Sequence, residues 1–144
     1  MAFKRGSGRV RRFAKVRTPR GEMNANEQRY AAWLQTQKDH GGVVDFQFEK
    51  ITLKLAPRTT LTVDFLVVTR DLTLELHEVK GGKKNGKYHV EEDAWLKLKL
   101  AAAQFPWLKI LVVWWHKDHG WKEQEVGAHG ADHTDTQTTL DTED

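Results

Sequence analysis

Apolar positions along this chain change their spacing several times, and each change marks the boundary of a predicted element. Tyr30, Trp33 and Leu34 have the i, i+3, i+4 spacing of a helix that buries one side. With an asparagine N-cap before them and two glycines after them, they predict a first helix from residue 24 or 26 to residue 40. Three acids followed by an apolar stretch predict a second helix over residues 90–104.

Shorter apolar runs between and after these helices predict strands. The runs cover residues 43–49, 51–56, 61–68, 72–80 and 108–115. The last run is so apolar that we expect it to be central and covered on both faces. A short final strand is expected near Trp121, and the lysine- and glycine-rich residues 81–87 are expected to form a flexible loop. The chain is thus predicted to be α/β, with a mixed sheet flanked by helices. The order of the core is predicted to be α–β–β–β–α–β, which counts three of the four runs that precede the second helix.

Three charged residues stand out because they lie in the predicted strands. Asp64 is the only charge in its run, and Glu78 and Lys80 close the next one. Strand side chains alternate between faces, so Glu78 and Lys80 are expected on the same face as Leu76. Charges rarely lie among buried residues unless they are paired or hold a metal. Two carboxylates and a lysine are the composition that a divalent-metal phosphodiesterase site needs.

Each acid also has a structural interpretation. Asp64 and Glu78 could form a buried salt bridge with Lys80, although one lysine does not explain two acids. Glu27, in the first turn of the first helix, could be an accessory acid of the site, or it could simply favour the helix dipole.

Charge is distributed unevenly along the 144 residues, whose net charge is +3. Residues 1–23 carry eight Lys and Arg against a single acid, whereas residues 127–144 carry five acids and no Lys or Arg. We therefore expect a flexible basic arm over residues 1–23, one domain over residues 24–126 and a disordered acidic tail over residues 127–144. Such an arm is typical of nucleic-acid binding, although a solvated tail that aids solubility has the same composition.

Composition excludes several classes of protein. There is no cysteine, which excludes disulfides, thiolate metal sites and cysteine nucleophiles, and suits a cytoplasmic protein. No apolar run approaches the length needed to cross a bilayer, and the N-terminus is basic rather than a signal peptide. We expect no membrane association and a cytoplasmic location.

The acids and the lysine also resemble a family pattern. Asp64, followed after thirteen residues by Glu78-Val-Lys80 and then by a helix and a strand, resembles the PD-(D/E)XK nuclease superfamily. No other Asp/Glu-x-Lys sequence occurs in the chain, and Glu27 matches the first acidic position of that superfamily. The layout over roughly residues 24–115 is similar to small phage nucleases of the endonuclease I, Holliday-junction-resolving type. One departure is Val63, which replaces the proline before the aspartate.

This resemblance implies a restriction-endonuclease-like core and a DNA endonuclease dependent on Mg²⁺ or Mn²⁺, with selectivity for junctions. It implies that Asp64, Glu78 and the main-chain carbonyl of Val79 bind the metal. Lys80 would be the catalytic lysine and Glu27 an accessory acid. If a phage encodes the protein, it would act in the host cytoplasm.

DNA contacts are expected from basic residues in the arm and beside the site. Phosphate contact is favoured for the loop lysines because they directly follow Lys80, and the alternative is a solvated loop. A lysine of the second helix could reach the site, or its stem could cover apolar surface. The expected contacts are Arg9, Arg11, Arg12, Lys15, Arg17, Lys83, Lys84, Lys87 and Lys97.

Histidines and tryptophans form less specific patterns. His116-x-x-His119 and His129-x-x-x-His133 have spacings that could bind a metal, but solvated histidines are favoured because no cysteine lies nearby. His77 is expected on the opposite side of its strand from the site. Five tryptophans are interpreted as core or as the surface of a homodimer rather than as base-stacking platforms. They are Trp95, Trp107, Trp114, Trp115 and Trp121.

Two functions from other classes stay open. The chain could be a non-catalytic nucleic-acid-binding protein on the same fold, which metal-dependent cleavage would exclude. It could also be a phage protein that binds and regulates a host protein through the tryptophan-rich region, which capture of a host protein without nucleic acid would support.

Overall fold

The computed structural model describes residues 21–127, which form a mixed α/β fold with two helices and two sheets. The helices are α1 (Ala25–Asp39) and α2 (Glu92–Gln104). The strands are β1 (Val43–Phe48), β2 (Thr52–Ala56), β3 (Thr59–Thr62), β4 (Phe65–Thr69), β5 (Leu74–Lys80), β6 (Lys109–His116) and β7 (Gly120–Glu125). Neither helix in this part of the chain is long and apolar enough to span a membrane.

The main sheet has five strands in the order β1-β4-β5-β6-β7. Only β5 and β6 are parallel, and α2 makes the crossover that a parallel pair requires. Taken alone, this sheet follows the predicted order α–β–β–β–α–β, and β7 lies near Trp121 as expected. The whole chain departs from that order because β2 and β3 pair with each other in a separate two-stranded sheet.

The predicted strand over residues 61–68 is wrong in one respect, because it divides into β3 and β4. Val63 and Asp64 lie between the two strands. The main-chain N–H of Val63 donates to the oxygen of Ile51, and the oxygen of Asp64 accepts from Glu49. The break lets the chain pass from one sheet to the other. It places Asp64 at the end of the main sheet rather than within a strand.

Helix α1 begins as its sequence predicts. Asn24 is the N-cap, and its side chain accepts a hydrogen bond from the main-chain N–H of Glu27. The buried residues of α1 are Tyr30 and Leu34, two of the three that form the predicted stripe, whereas Trp33 is 42% exposed.

Each face of the main sheet is covered by its own core, as the alternation along β6 shows. Ile110 and Val112 belong to the core on the α2 side, and Leu111 and Val113 belong to the core on the α1 side. The prediction that this strand is central and covered on both faces is therefore confirmed. The hairpin of β2 and β3 adds Leu55 and Leu61 to the α2-side core.

Strand β5 is shorter than the predicted run over residues 72–80. Leu72 lies in the preceding turn with a positive φ of 61°, and it is 72% exposed. Leu74 begins the strand and is also exposed, so the apolar face that was expected to start at residue 72 starts at Leu76. Glu78 follows Leu76 on this face and is buried.

Candidate functional site

Four strands and a helix bring their termini together at one end of the main sheet, which we call the site end. Here β1, β5 and β6 finish and β4 begins, since Phe48 pairs with Phe65 and Lys80 pairs with Trp114. The first turn of α1 lies at the same end, because Asn26 is close to Gly81. Its side-chain amide nitrogen is 3.6 Å from the position that a Cβ at Gly81 would occupy.

The predicted acids and lysine meet at this end. The main-chain N–H of Val79 donates a 2.8 Å hydrogen bond to Oδ2 of Asp64. Glu78 is buried, with 8% of its surface exposed, and its Oε1 lies 3.6 Å from Nζ of Lys80. The structure therefore brings Asp64, Glu78 and Lys80 together, and their roles stay a prediction.

The ionised forms of the Asp64 and Glu78 carboxyl groups are disfavoured. Burial, and then the nearby charge of Glu78, raise the pKa of Asp64 to about 8, while the N–H of Val79 and the ammonium of Lys80 act in the opposite direction. Burial also raises the pKa of Glu78, while the charge of Lys80 and hydrogen bonding with Asp64 act in the opposite direction. Oε2 of Glu78 is buried without a hydrogen-bond partner. The pair therefore lacks part of the positive charge that two ionised carboxylates would need.

Divalent magnesium or manganese fits this donor set. Within residues 21–127 no group of three or more His, Asp or Glu side chains is placed to hold a metal. The carboxylates that lie together at the site end are those of Asp64 and Glu78, with the carbonyl of Val79 between Glu78 and Lys80 in the chain. Mg²⁺ is commonly held by one or two carboxylates and keeps several of its waters, so two suffice.

Glu27 reaches the site end but is held by its own helix. Its Oε1 accepts from the side-chain amide of Asn24 at 2.7 Å, and its Oε2 accepts from the main-chain N–H of the same residue at 3.2 Å. These contacts complete a capping box. Burial raises the pKa of Glu27, and the charges of Glu49 and Lys80 also act on it. Glu27 lies in the first turn of α1, as both interpretations require, and its role as an accessory acid stays a prediction.

Glu49 is an acid of the site end that the sequence did not reveal. It follows β1 with a positive φ of 50°, and its N–H donates a 2.8 Å hydrogen bond to the main-chain oxygen of Asp64. Its Oε2 accepts from the N–H of Gly21 at 3.1 Å. Glu49 lies at the end of an apolar run, as Glu78 does. It was not singled out because no lysine stands two residues after it.

The expected flexible loop is instead an ordered turn, which we call the lysine turn (residues 81–89). The indole N–H of Trp114 donates to the oxygen of Gly86 at 2.9 Å, and the N–H of His89 donates to the oxygen of Gly81 at 2.8 Å. A bridge between Gly82 and Tyr88 closes the turn. Lys83, Lys84 and Lys87 are thereby held beside the site end.

An open cavity of about 620 Å³ lies next to Lys80. It is lined by Lys80, Gly81, His89, Val90, Glu91 and Ala94. Lys97 lies about one turn further along α2 and is not part of this lining, so the structure does not bring it to the site. Its position suits the alternative in which the lysine stem covers apolar surface.

His77 points to the α1 side of the sheet, away from Glu78, as expected. Its Nδ1 lies 2.5 Å from the hydroxyl of Tyr30, and its Nε2 lies 2.8 Å from Oε2 of Glu75. Oε1 of Glu75 also pairs with Lys109 at 3.4 Å. This buried network connects α1 to β5 and lies outside the site.

Of the two histidine pairs, His116 and His119 lie within the described residues and show no metal site there. Nδ1 of His116 accepts the main-chain N–H of Asp118 at 3.1 Å, which uses the lone pair of a neutral ring. The ring of His116 lies 4.6 Å from that of His119, centroid to centroid. His129 and His133 lie outside the described residues.

Of the five tryptophans, Trp95 and Trp114 are buried in the core on the α2 side. Trp121 is partly buried beside Tyr30, with ring centroids 4.8 Å apart. Trp107 and Trp115 are 78% and 42% exposed. The core interpretation therefore holds for Trp95 and Trp114, and in part for Trp121, which packs against the α1-side core.

The arm and the tail fall largely outside the described residues. This applies to the predicted contacts Arg9, Arg11, Arg12, Lys15 and Arg17, and to residues 128–144. The contact between Gly21 and Glu49 nevertheless fixes where the arm joins the domain, which is at the site end.

Comparison with protein-family models, curated proteins and solved structures found no match for this chain. A functional proposal therefore depends on the geometry and chemistry of the site end.

Proposed function

We propose that this protein is a metal-dependent DNA endonuclease with a restriction-endonuclease-like core, centred on Asp64, Glu78 and Lys80. The observation that supports it most is the buried Oε2 of Glu78, which has no hydrogen-bond partner and lies beside a second carboxyl group of raised pKa. A purely structural ion pair would be expected to satisfy both acids. Perturbed carboxyls next to a lysine at an open cavity are typical of a catalytic site.

The roles of the residues follow from their positions. Asp64, Glu78 and the carbonyl of Val79 would hold Mg²⁺ or Mn²⁺, which would supply Lewis acidity and lower the pKa of a water. Lys80 is held near Glu78 at 3.6 Å and lines the open cavity, where it orients the attacking water or stabilises charge on the phosphate. Glu27 acts on Asp64 through its charge, because its carboxylate oxygens accept hydrogen bonds from Asn24 in the capping box.

The substrate is proposed to be DNA because two groups of basic residues adjoin the site end. The lysine turn follows Lys80 directly, and the eight basic residues of the arm join the domain through Gly21, at the same end. Selectivity for junctions, a phage origin and action in the cytoplasm belong to the same proposal. Light scattering of the full chain tests the predicted homodimer.

The experiment is cleavage of labelled single strands, duplexes, flaps and four-way junctions by the full chain. Product is expected with Mg²⁺ or Mn²⁺ and none in excess EDTA. Ca²⁺ is expected to support binding with poor turnover, because it is larger and activates water less. The matched control is Asp45→Asn, which should leave cleavage unchanged. It removes an exposed acid of β1 that pairs with Lys38 of α1.

Three results would count against the proposal. Cleavage that survives in EDTA, or that Asp64→Asn leaves intact, would indicate a contaminating nuclease. Tight DNA binding without cleavage of any substrate would support the non-catalytic nucleic-acid-binding protein instead.

A further inference from the structure

Three residues form a row across the main sheet at the site end. Lys80 of β5 pairs with Trp114 of β6, and Trp114 pairs in turn with Lys122 of β7. Residues that are paired across neighbouring strands project from the same face of a sheet. Because Trp114 belongs to the core on the α2 side, both lysines of the row also project from that side.

The lysine turn lies over the middle of this row and reaches β7. The indole N–H of Trp114 donates to the oxygen of Gly86 at 2.9 Å, and the ring of Tyr88 lies 4.8 Å from the ring of Trp114, centroid to centroid. The hydroxyl of Tyr88 donates to Oε1 of Gln124 at 3.1 Å. Gln124 is two residues from Lys122 and therefore on the same face of β7. The turn thus connects the surroundings of Lys80 to those of Lys122.

Charge favours a nucleic-acid backbone in this direction. Lys122 is exposed, and the lysine turn adds three more lysines. In the other direction, towards α2, the charges at the start of the helix are negative, and one of these acids lines the cavity beside Lys80. These acids are Glu91, Glu92 and Asp93. A phosphate backbone bound at Lys80 is therefore attracted over the turn and repelled from the start of α2.

From this arrangement we propose that Lys122 binds a DNA phosphate at the far end of a track that begins at Lys80 and passes over the lysine turn. Two strand spacings separate the main chains of the two lysines by about 10 Å. That length of duplex axis carries about three phosphates of one strand. The inference rests on the proposed function for its partner, DNA, and it adds the direction in which the strand leaves the site.

Lys122 also has a structural interpretation. Strand β7 is an edge of the main sheet. A lysine on an edge strand discourages pairing with another sheet, which would require no contact with DNA. The experiments must therefore separate phosphate contact from protection of the edge.

The first experiment measures binding of the full chain to a labelled blunt duplex, in EDTA and at several salt concentrations. Lys122→Ala is expected to lower the slope of log affinity against log salt by about 0.9, the contribution of one phosphate contact. Lys122→Arg keeps the charge and should keep the wild-type slope. The matched control is Lys54→Ala, which removes an exposed lysine of β2 and should leave the slope unchanged.

The second experiment measures proximity to DNA. The chain has no cysteine, so Lys122→Cys introduces a single thiol to which a photoactivated crosslinker can be attached. This variant and Lys84→Cys are expected to crosslink to the duplex on illumination, whereas Lys54→Cys is not. Melting curves check that each variant folds.

Each outcome decides the proposal. An unchanged salt slope for Lys122→Ala overturns it, and so does crosslinking from residue 54 that equals crosslinking from residue 122. A larger particle mass of Lys122→Ala in light scattering, with DNA affinity unchanged, would show that the lysine only protects the edge of β7. If wild type binds DNA through Lys122 but never cleaves it, the nuclease proposal fails while this one stands. If wild type cleaves and Lys122 makes no contact, only this inference fails.

Discussion

The main-chain N–H of Val79 donates a 2.8 Å hydrogen bond to Oδ2 of Asp64, and this contact joins the break before β4 to the end of β5. It fixes one oxygen of Asp64 beside Glu78, the residue before Val79 in β5. Both carboxyl groups are buried, and burial raises the pKa of each. The contact therefore keeps two acids together where repulsion between their charges would separate them.

Substitutions at the site should remove cleavage without unfolding the protein. Lys80→Ala is expected to lower the cleavage rate by about 10²–10⁴, the usual loss for a proton-transfer or charge-stabilising group. Asp64→Asn and Glu78→Gln should lower it by at least about 100-fold, since even residues that only support metal ligands cost 10–100-fold. Single-turnover cleavage and circular dichroism measure the two properties. Any variant with the wild-type rate removes its residue from the site.

Without metal, the stability of the protein should depend on pH through Asp64. Its pKa is about 8 in the folded protein and near the ordinary 3.8 in the unfolded chain, so the folded protein holds this proton more tightly. Stability from this group is present below about pH 4 and is lost as the pH rises towards 8. Asp64→Asn cannot titrate, so in EDTA it should gain melting temperature relative to wild type between pH 5 and pH 8. A growing deficit of the variant over this range would instead favour a structural ion pair with Lys80.

Deleting residues 1–20 should weaken DNA binding and reduce its salt dependence while the domain stays folded. The deleted stretch holds eight Lys and Arg, and each phosphate contact on duplex DNA contributes about 0.9 to the slope of log affinity against log salt. Gly21 is retained, so its contact with Glu49 can persist. Anisotropy titrations at several salt concentrations give the slope. An unchanged slope would mean that the arm does not touch DNA.

Tyr30→Phe should destabilise the fold without acting on the site directly. The hydroxyl lies 2.5 Å from Nδ1 of His77, which is only 5% exposed and would lose its partner. The free energy of unfolding should fall by about 1–3 kcal/mol in urea titrations. Tyr88→Phe is the comparison, because the Tyr88 hydroxyl bonds Gln124 in a partly exposed position and should cost less. Equal losses for the two variants would contradict the importance of the buried network.

Much of the local structure followed from the sequence by itself. The cap at Asn24, the two helices, the covered strand β6 and the closeness of Glu78 to Lys80 depend on residue type and on spacing within one segment. Such patterns are local, because hydrogen bonding within a helix and alternation along a strand repeat over a few residues. The Glu-x-Lys spacing marked the end of β5 as a candidate site for the same reason.

Other features were decided only when distant segments met. The break at Asp64 arises because β3 pairs with β2 while β4 pairs with β1 and β5, and no local pattern distinguishes these partners. The lysine turn is ordered because Trp114, 28 positions beyond Gly86, binds its carbonyl. Glu49 joins the site end through Asp64 and Gly21. Pairing between strands and hydrogen bonds across the fold select one arrangement among many that the sequence pattern allows, so they belong to the tertiary structure.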